Sequence, residues 1–220
     1  MYLFLLIILL SYIVGSIPTA IIISKLARGI DIREHGSGNA GGTNVFRVLG
    51  WKYGTLTILL DALKGAIAVI LISRLHYGNI PFNNITPFDD FTLIQILAGL
   101  SAVVGHIWTI FAGFKGGKGI ATALGFLLAV VTIDILLAFG IFIVVVTFSR
   151  YISLGSITAA FSLPLIMVVR ENLFNVDIIG YHTALPFTII IAFLVLYTHR
   201  ANVSRLLQGT ERKISFKKSK

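Results

Sequence analysis

Apolar runs of about the 20 residues needed to cross a bilayer alternate with short polar connectors along this chain. Residues 3–23 form the first run, and 51–73 form a second that carries Asp61 and Lys64. Further runs cover about 91–111, 155–169 and 183–198. The region 120–148 is 29 residues long, with Asp134 near its middle. As one helix it would measure about 43 Å at 1.5 Å per residue, too long for a core of roughly 30 Å unless steeply tilted. As a hairpin turning near Asp134, each arm would be about 21 Å, which is short.

Charge chooses between these two. Lys25, Arg28, Arg33, Arg47 and Lys52 follow the first run, and no Lys or Arg precedes it. The positive-inside bias therefore puts the N-terminus outside and residues 25–52 in the cytoplasm. A single crossing at 120–148 would send Arg150 outside, and the C-terminal tail with it. That tail holds Arg200, Arg205, Arg212, Lys213, Lys217, Lys218 and Lys220. The hairpin keeps these residues inside. Of 18 basic residues only Arg74 and Arg170 then lie outside. The expected fold is all-α: a polytopic membrane helical bundle of about seven transmembrane helices, N-terminus outside and C-terminus cytoplasmic. It forms a single integral membrane domain over 1–220. The basic cluster follows the first run with no small-x-small site before it, so a removed signal peptide is not expected.

Composition agrees. The 220 residues are 56% hydrophobic and 12% charged, against about 25% charged in soluble domains. A net charge of +9 invites a nucleic-acid reading. The cations, however, sit between apolar runs and not along one face, so no nucleic-acid partner is expected. Cysteine is absent, which excludes disulfides and thiol catalysis.

Polar chemistry gathers in a few connectors. Gly36-Ser37-Gly38-Asn39-Ala40-Gly41-Gly42-Thr43-Asn44, followed by Arg47, has almost no apolar content. Glycine costs about 1 kcal/mol per helical position relative to Ala, so this is no lipid-facing helix. It is either a linker or a curl of N–H groups around an anion. A second turn, Lys115-Gly116-Gly117-Lys118-Gly119, enters a helix with Thr122 in its first turn. Helix N-termini attract phosphate, and the two lysines add charge. A nucleotide-binding Gly-x4-Gly-Lys-Ser/Thr loop would need Gly at Ala112 and a hydroxyl at Gly119, so that motif fails twice. After the last run, His199 and Asn202 are three apart and share a helical face, with Arg205 further along. Such a pair suits binding or proton transfer. Asp61 and Lys64, also three apart, are expected to pair with each other inside the membrane. His106 is expected to hydrogen-bond between packed helices. His35 neighbours the Gly-rich loop, and His76 and His182 fall in external loops. No three or four ligands cluster, so no metal site is expected. On this topology 36–47, 114–119, 150–153 and 199–205 all emerge on the cytoplasmic side, which points to an anionic substrate there.

Three stretches together resemble a known family. Residues 36–47, 105–122 (Gly-His-Ile-Trp-Thr-Ile-Phe-Ala-Gly-Phe-Lys-Gly-Gly-Lys-Gly-Ile-Ala-Thr) and 199–211 (His-Arg-Ala-Asn-Val-Ser-Arg-Leu-Leu-Gln-Gly-Thr-Glu) look like the motifs of the PlsY-type glycerol-3-phosphate acyltransferases, bacterial inner-membrane enzymes. Gly15-Ser-Ile-Pro18, Asp61-x-x-Lys64-Gly65 and Ser153-Leu154 fall where members have similar residues. The chain departs at Ala40 and Gly42, where Pro and Ala are usual. It departs again at Thr109, where a Pro is usual and its loss is expected to straighten a helix.

The resemblance implies transfer of a fatty acyl group from acyl phosphate to the 1-hydroxyl of glycerol 3-phosphate, giving lysophosphatidic acid and phosphate. It implies no cofactor and no need for acyl-CoA or acyl carrier protein. It implies that Ser37, Asn39, Gly41, Thr43 and nearby N–H groups hold the acyl phosphate. Arg47, Lys115, Ser153, His199 and Asn202 would hold glycerol 3-phosphate. Asn44, Gly116, Gly117, Lys118 and Arg205 join the substrate-binding set, and His199, Asn202 and Ser37 the catalytic set. Either His199 or an oxygen of bound phosphate serves as base. The His-x4-Asp pattern of other acyltransferases is absent, since the fifth residue after each His is Ala40, Pro81, Phe111, Phe187 or Ser204. The competing reading is a transporter of organic phosphates. It lacks the internal repeat and mid-membrane polar groups common in such folds.

Overall fold

The computed structural model describes residues 2–76 and 86–214. Most of the 74–90 connector and Lys217, Lys218 and Lys220 lie outside that range. Among the described residues all regular structure is helical. The chain forms two compact units, Met1–Val130 and Val131–Lys220.

In the first unit, α1 (Tyr2–Gly15) and α2 (Thr19–Arg28) share one apolar run but break at Ser16–Pro18. Proline has no N–H and biases the preceding residue away from the helical region. The carbonyls released there are taken by side chains. Lys64 Nζ donates to the Ile17 carbonyl at 3.0 Å, and the Thr109 hydroxyl donates to that of Ser16. A turn at Ile32–Glu34 and α3 (Gly42–Leu49) lead into α4 (Trp51–Ile67), which continues as a wider π turn over Ala68–Ile72. Asp89 caps α5 (Asp90–Ile107) through the Thr92 N–H at 2.8 Å, and α6 (Ile120–Val130) follows.

α1 packs on α5, and α6 packs on α4 and α5. Glycine sets the closeness of α4 and α6. A Cβ at Gly65 would lie 2.0 Å from the Thr122 carbonyl oxygen, and one at Gly125 would lie 1.8 Å from that of Ala62. Small residues allow such approach where lipid supplies no hydrophobic drive. Ile7, Ala68, Ile72, Ile94, Ala98 and Ala102 form one core. A second, of Ala20, Ile21, Ile23, Ile32, Ala40, Val45 and Leu49, lies under the polar connectors. Straightening at Thr109 does not occur: α5 ends at Ile107, and Thr109 is extended with its hydroxyl on Ser16. That hydrogen bond holds the bend without the ring.

In the second unit α8 (Ile152–Asn172) packs on α7 (Thr132–Ser149) and α9 (Tyr181–Thr198), and the short α10 (Arg200–Leu207) closes on α8 and α9. α7 ends on Arg150 in the left-handed region at φ 66°. Arg170, one of the two cations expected outside, pairs with buried Asp134 at 2.7 Å. The helix over 155–169 is longer than expected and takes Ser153 into its first turn.

Among the described residues six helical segments are long and apolar enough to cross a membrane: Tyr2–Arg28, Trp51–Leu75, Asp90–Ala112, Thr132–Ser149, Ile152–Asn172 and Tyr181–Thr198. Leu59, Leu71, Phe148 and Leu165 are exposed on them, as lipid-facing side chains are. Residues 120–148 do break, but at Val131 (φ −130°, ψ 60°), so Asp134 lies in the first turn of α7. The first arm, α6, has 11 residues. It is about 16 Å long at 1.5 Å per residue, half a bilayer core.

Candidate active site

The Gly-rich loop is built around Asn44, which is buried at 1% exposure. Its Oδ1 accepts from the Ser37 N–H at 2.8 Å. Its Nδ2 lies 2.9 Å from the His35 carbonyl and 3.1 Å from those of Ile32 and Asn39. The side chain expected to meet substrate is thus turned inward and shapes the loop. Gly36 sits at φ 62°, and a Cβ there would lie 2.3 Å from Asn44 Oδ1. Glycine is required on both counts. Ser37 and Gly38 are exposed at the surface of this curl, while Asn39, Gly41 and Thr43 are half-buried. The curl ends at the N-terminus of α3, where first-turn N–H groups have no intrahelical acceptor. Arg47 lies in the last turn of α3.

Arg33 joins this loop to the Gly-Lys turn. Its guanidinium pairs with Asp31 at 2.7 Å and donates to the Ala112 carbonyl at 3.0 Å. The Arg33 hydrogen bonds outweigh partial burial and hold the Asp31 carboxyl down at about 2. In the turn itself, the Gly116 N–H donates to the Ile107 carbonyl and the Gly117 N–H to that of His106, both at 3.1 Å. The turn therefore folds back over the end of α5. Lys115 is exposed and Lys118 half-buried.

Beneath lies a buried polar cluster. Asp61 Oδ1 is 2.9 Å from Lys64 Nζ, as expected from their spacing. It also accepts from the Thr19 hydroxyl and lies 3.4 Å from His106 Nδ1. His106 thus reaches between packed helices, as expected, but that its partner is Asp61, and that Thr19 joins it, was not legible because these residues come from different helices.

In the second unit Glu211 gathers three candidates. Its Oε1 accepts from Ser153 Oγ at 2.9 Å and Asn202 Nδ2 at 2.6 Å, and its Oε2 from Arg205 Nε at 2.7 Å. Burial raises the Glu211 pKa, but the hydrogen bonds from Asn202, Arg205 and Ser153 win, and the carboxyl titrates below its ordinary range. Glu211 closes the third motif, yet no spacing rule named it. Its one signal was an acid inside a basic tail. His199 stands at the junction of α9 and α10, 3% exposed. Its Nδ1 is 2.8 Å from the Val195 carbonyl. A carbonyl only accepts, so in the neutral ring Nδ1 carries the hydrogen and Nε2 the lone pair. Nε2 is then the ring nitrogen able to accept a proton. Among the described residues no group of three His, Asp or Glu is arranged to hold a metal.

A family model described as glycerol-3-phosphate acyltransferase matches residues 5–209. The chain belongs to this family. It is 46% identical to the glycerol-3-phosphate acyltransferase of Chlorobaculum tepidum over 97% of each chain. It is 44% identical to that of Chlorobium phaeovibrioides over 94% of this chain and 95% of the relative. Two crystal structures of PlsY, an integral membrane glycerol 3-phosphate acyltransferase, have the same fold. Its glycerol 3-phosphate form superposes with a TM-score of 0.81 at 38% identity, covering 96% of both chains. Its lysophosphatidic acid form superposes at 0.79 and 37%, covering 96% of this chain and 95% of that one. The family resemblance carried by the three motifs therefore holds along nearly the whole chain.

Proposed function

We propose that this acyltransferase moves a fatty acyl group from acyl phosphate to the 1-hydroxyl of glycerol 3-phosphate, releasing lysophosphatidic acid and phosphate, the first step of phospholipid synthesis. The observation that carries the reading is the Asn44-braced loop. It presents Ser37, Gly38 and helical N–H groups at one surface, chemistry suited to a phosphoryl group. Ser37, Asn39, Gly41 and Thr43 hold the acyl phosphate, and Asn44 supports them from inside. Arg47, Lys115 and Lys118 supply cations in the first unit, with Gly116 and Gly117 shaping the turn. In the second unit His199 and Asn202 serve the glycerol hydroxyl, while Ser153 and Arg205 are held ready by Glu211.

The hydroxyl oxygen attacks the acyl carbon, and the bond from that carbon to the phosphate oxygen breaks. His199 Nε2 takes the hydroxyl proton. Phosphate is a good leaving group, so no acyl-enzyme forms, and fixed donors and cations stabilise the departing charge. The donor is acyl phosphate, with no role for acyl-CoA or acyl carrier protein.

The chain works as one integral domain of the bacterial inner membrane. Short α6 counts as the seventh membrane helix, the N-terminus lies outside, and the C-terminus and reactive loops face the cytoplasm. The test is the purified protein with an acyl phosphate and glycerol 3-phosphate. Phosphate and lysophosphatidic acid should appear in equal amounts, and His199→Ala should lose at least a hundredfold in kcat, the scale of a general base. His199→Ala within a few-fold of wild type would pass the proton to a phosphate oxygen instead. Acyl-CoA supporting equal turnover would overturn the donor assignment.

A further inference from the structure

Asp61, Lys64, Thr19 and His106 take no part in the chemistry above, yet all four are at most 8% exposed. Lys64 is accounted for by Asp61 and by the open carbonyl of Ile17. Thr19 begins α2 and donates to the same carboxylate. His106 differs, because its two ring nitrogens meet different things. Nδ1 lies 3.4 Å from Asp61 Oδ1. Nε2 lies against the glycine turn: a Cβ built on Gly117 would come within 2.2 Å of it and within 2.8 Å of the Ala40 carbonyl oxygen. The ring thus stands between the buried carboxylate and the point where the Gly-Lys turn meets the Gly-rich loop. The backbone of the same residue takes the Gly117 N–H.

The geometry points to His106 as a positioning residue for phosphate binding, oriented by Asp61. The carboxylate accepts from Nδ1–H and sets the ring plane. The ring edge then sets how closely Gly117 approaches Ala40, and so where Lys115 and Lys118 stand. A mere space-filling role would need the ring's volume but not its Nδ1 donor. The inference rests on the substrate reading above, through the glycerol 3-phosphate assigned to Lys115.

The experiment uses the full chain in detergent. His106→Ala is expected to raise KM for glycerol 3-phosphate at least tenfold with kcat within threefold. His106→Phe keeps a ring of similar size but has no Nδ1 donor, and its KM should stay as high as that of His106→Ala. Inorganic phosphate should raise the melting temperature of wild type but not of either variant. A raised KM with kcat retained is not what partial misfolding gives, since misfolding lowers kcat at constant KM. A KM rise under threefold in His106→Ala, or a His106→Phe KM within threefold of wild type, overturns the inference while the substrate reading stands. A wild type that neither turns over acyl phosphate nor responds to phosphate overturns both.

Discussion

Glu211 accepts hydrogen bonds from a serine, an asparagine and an arginine that come from α8 and α10. Its folded pKa is lowered, so its stabilising contribution is present above the ordinary Glu value of 4.5 and is lost as pH falls below it. Wild-type melting temperature should therefore fall on acidification below that value. Glu211→Gln, with no charge to lose, should show a flatter acid limb and a lower melting temperature at neutral pH, where Arg205 loses its partner. Parallel acid limbs in a pH series of thermal melts would remove Glu211 from this role. Asn44 was legible as a polar residue in a glycine-rich stretch. Its inward turn was not, because its amide reaches back five to twelve residues to bond partners that only the folded loop brings near.

At the scale of elements, glycine decides how closely helices pack. The Thr122 carbonyl leaves no room for a methyl group at Gly65, and backbone cannot step aside. Gly65→Ala should destabilise the protein by about 1–3 kcal/mol through overpacking. Gly140, within α7, has open space around its would-be Cβ. Gly140→Ala should leave stability unchanged or improve it by up to about 1 kcal/mol, the propensity gain of Ala over Gly in a helix. Thermal melts of both variants check this, and equal shifts would show that the contact at Gly65 yields. The break at Ser16–Pro18 was written in the proline. A break within 120–148 was expected near Asp134, but its place at Val131 was not legible, because neither Gly nor Pro stands there and packing of the neighbouring helices sets where each ends.

At the scale of the whole molecule, orientation is open to a direct test because the chain has no cysteine. With the N-terminus outside and the C-terminus inside, a membrane-impermeant maleimide should label Asp177→Cys in intact spheroplasts. It should label Arg28→Cys and Gln208→Cys only after permeabilisation. The reverse pattern would invert the topology and move the reactive loops to the other face.

The all-helical membrane character, the spans that follow from run length, the Asp61–Lys64 pair and the three motif-bearing stretches that mark the family were all legible in the chain's residues. Each rests on composition or on spacing within one helix, which are local and additive. The tertiary structure decided which side chains serve the motifs from behind: Asn44 within its loop, Arg33 on Ala112, His106 on Asp61, and Glu211 on Ser153, Asn202 and Arg205. Those pairings join residues up to 79 positions apart. Hydropathy and periodicity carry no information on distance between remote segments. Only the packing of helices, with each polar group finding a partner as it is buried, brings such residues within reach.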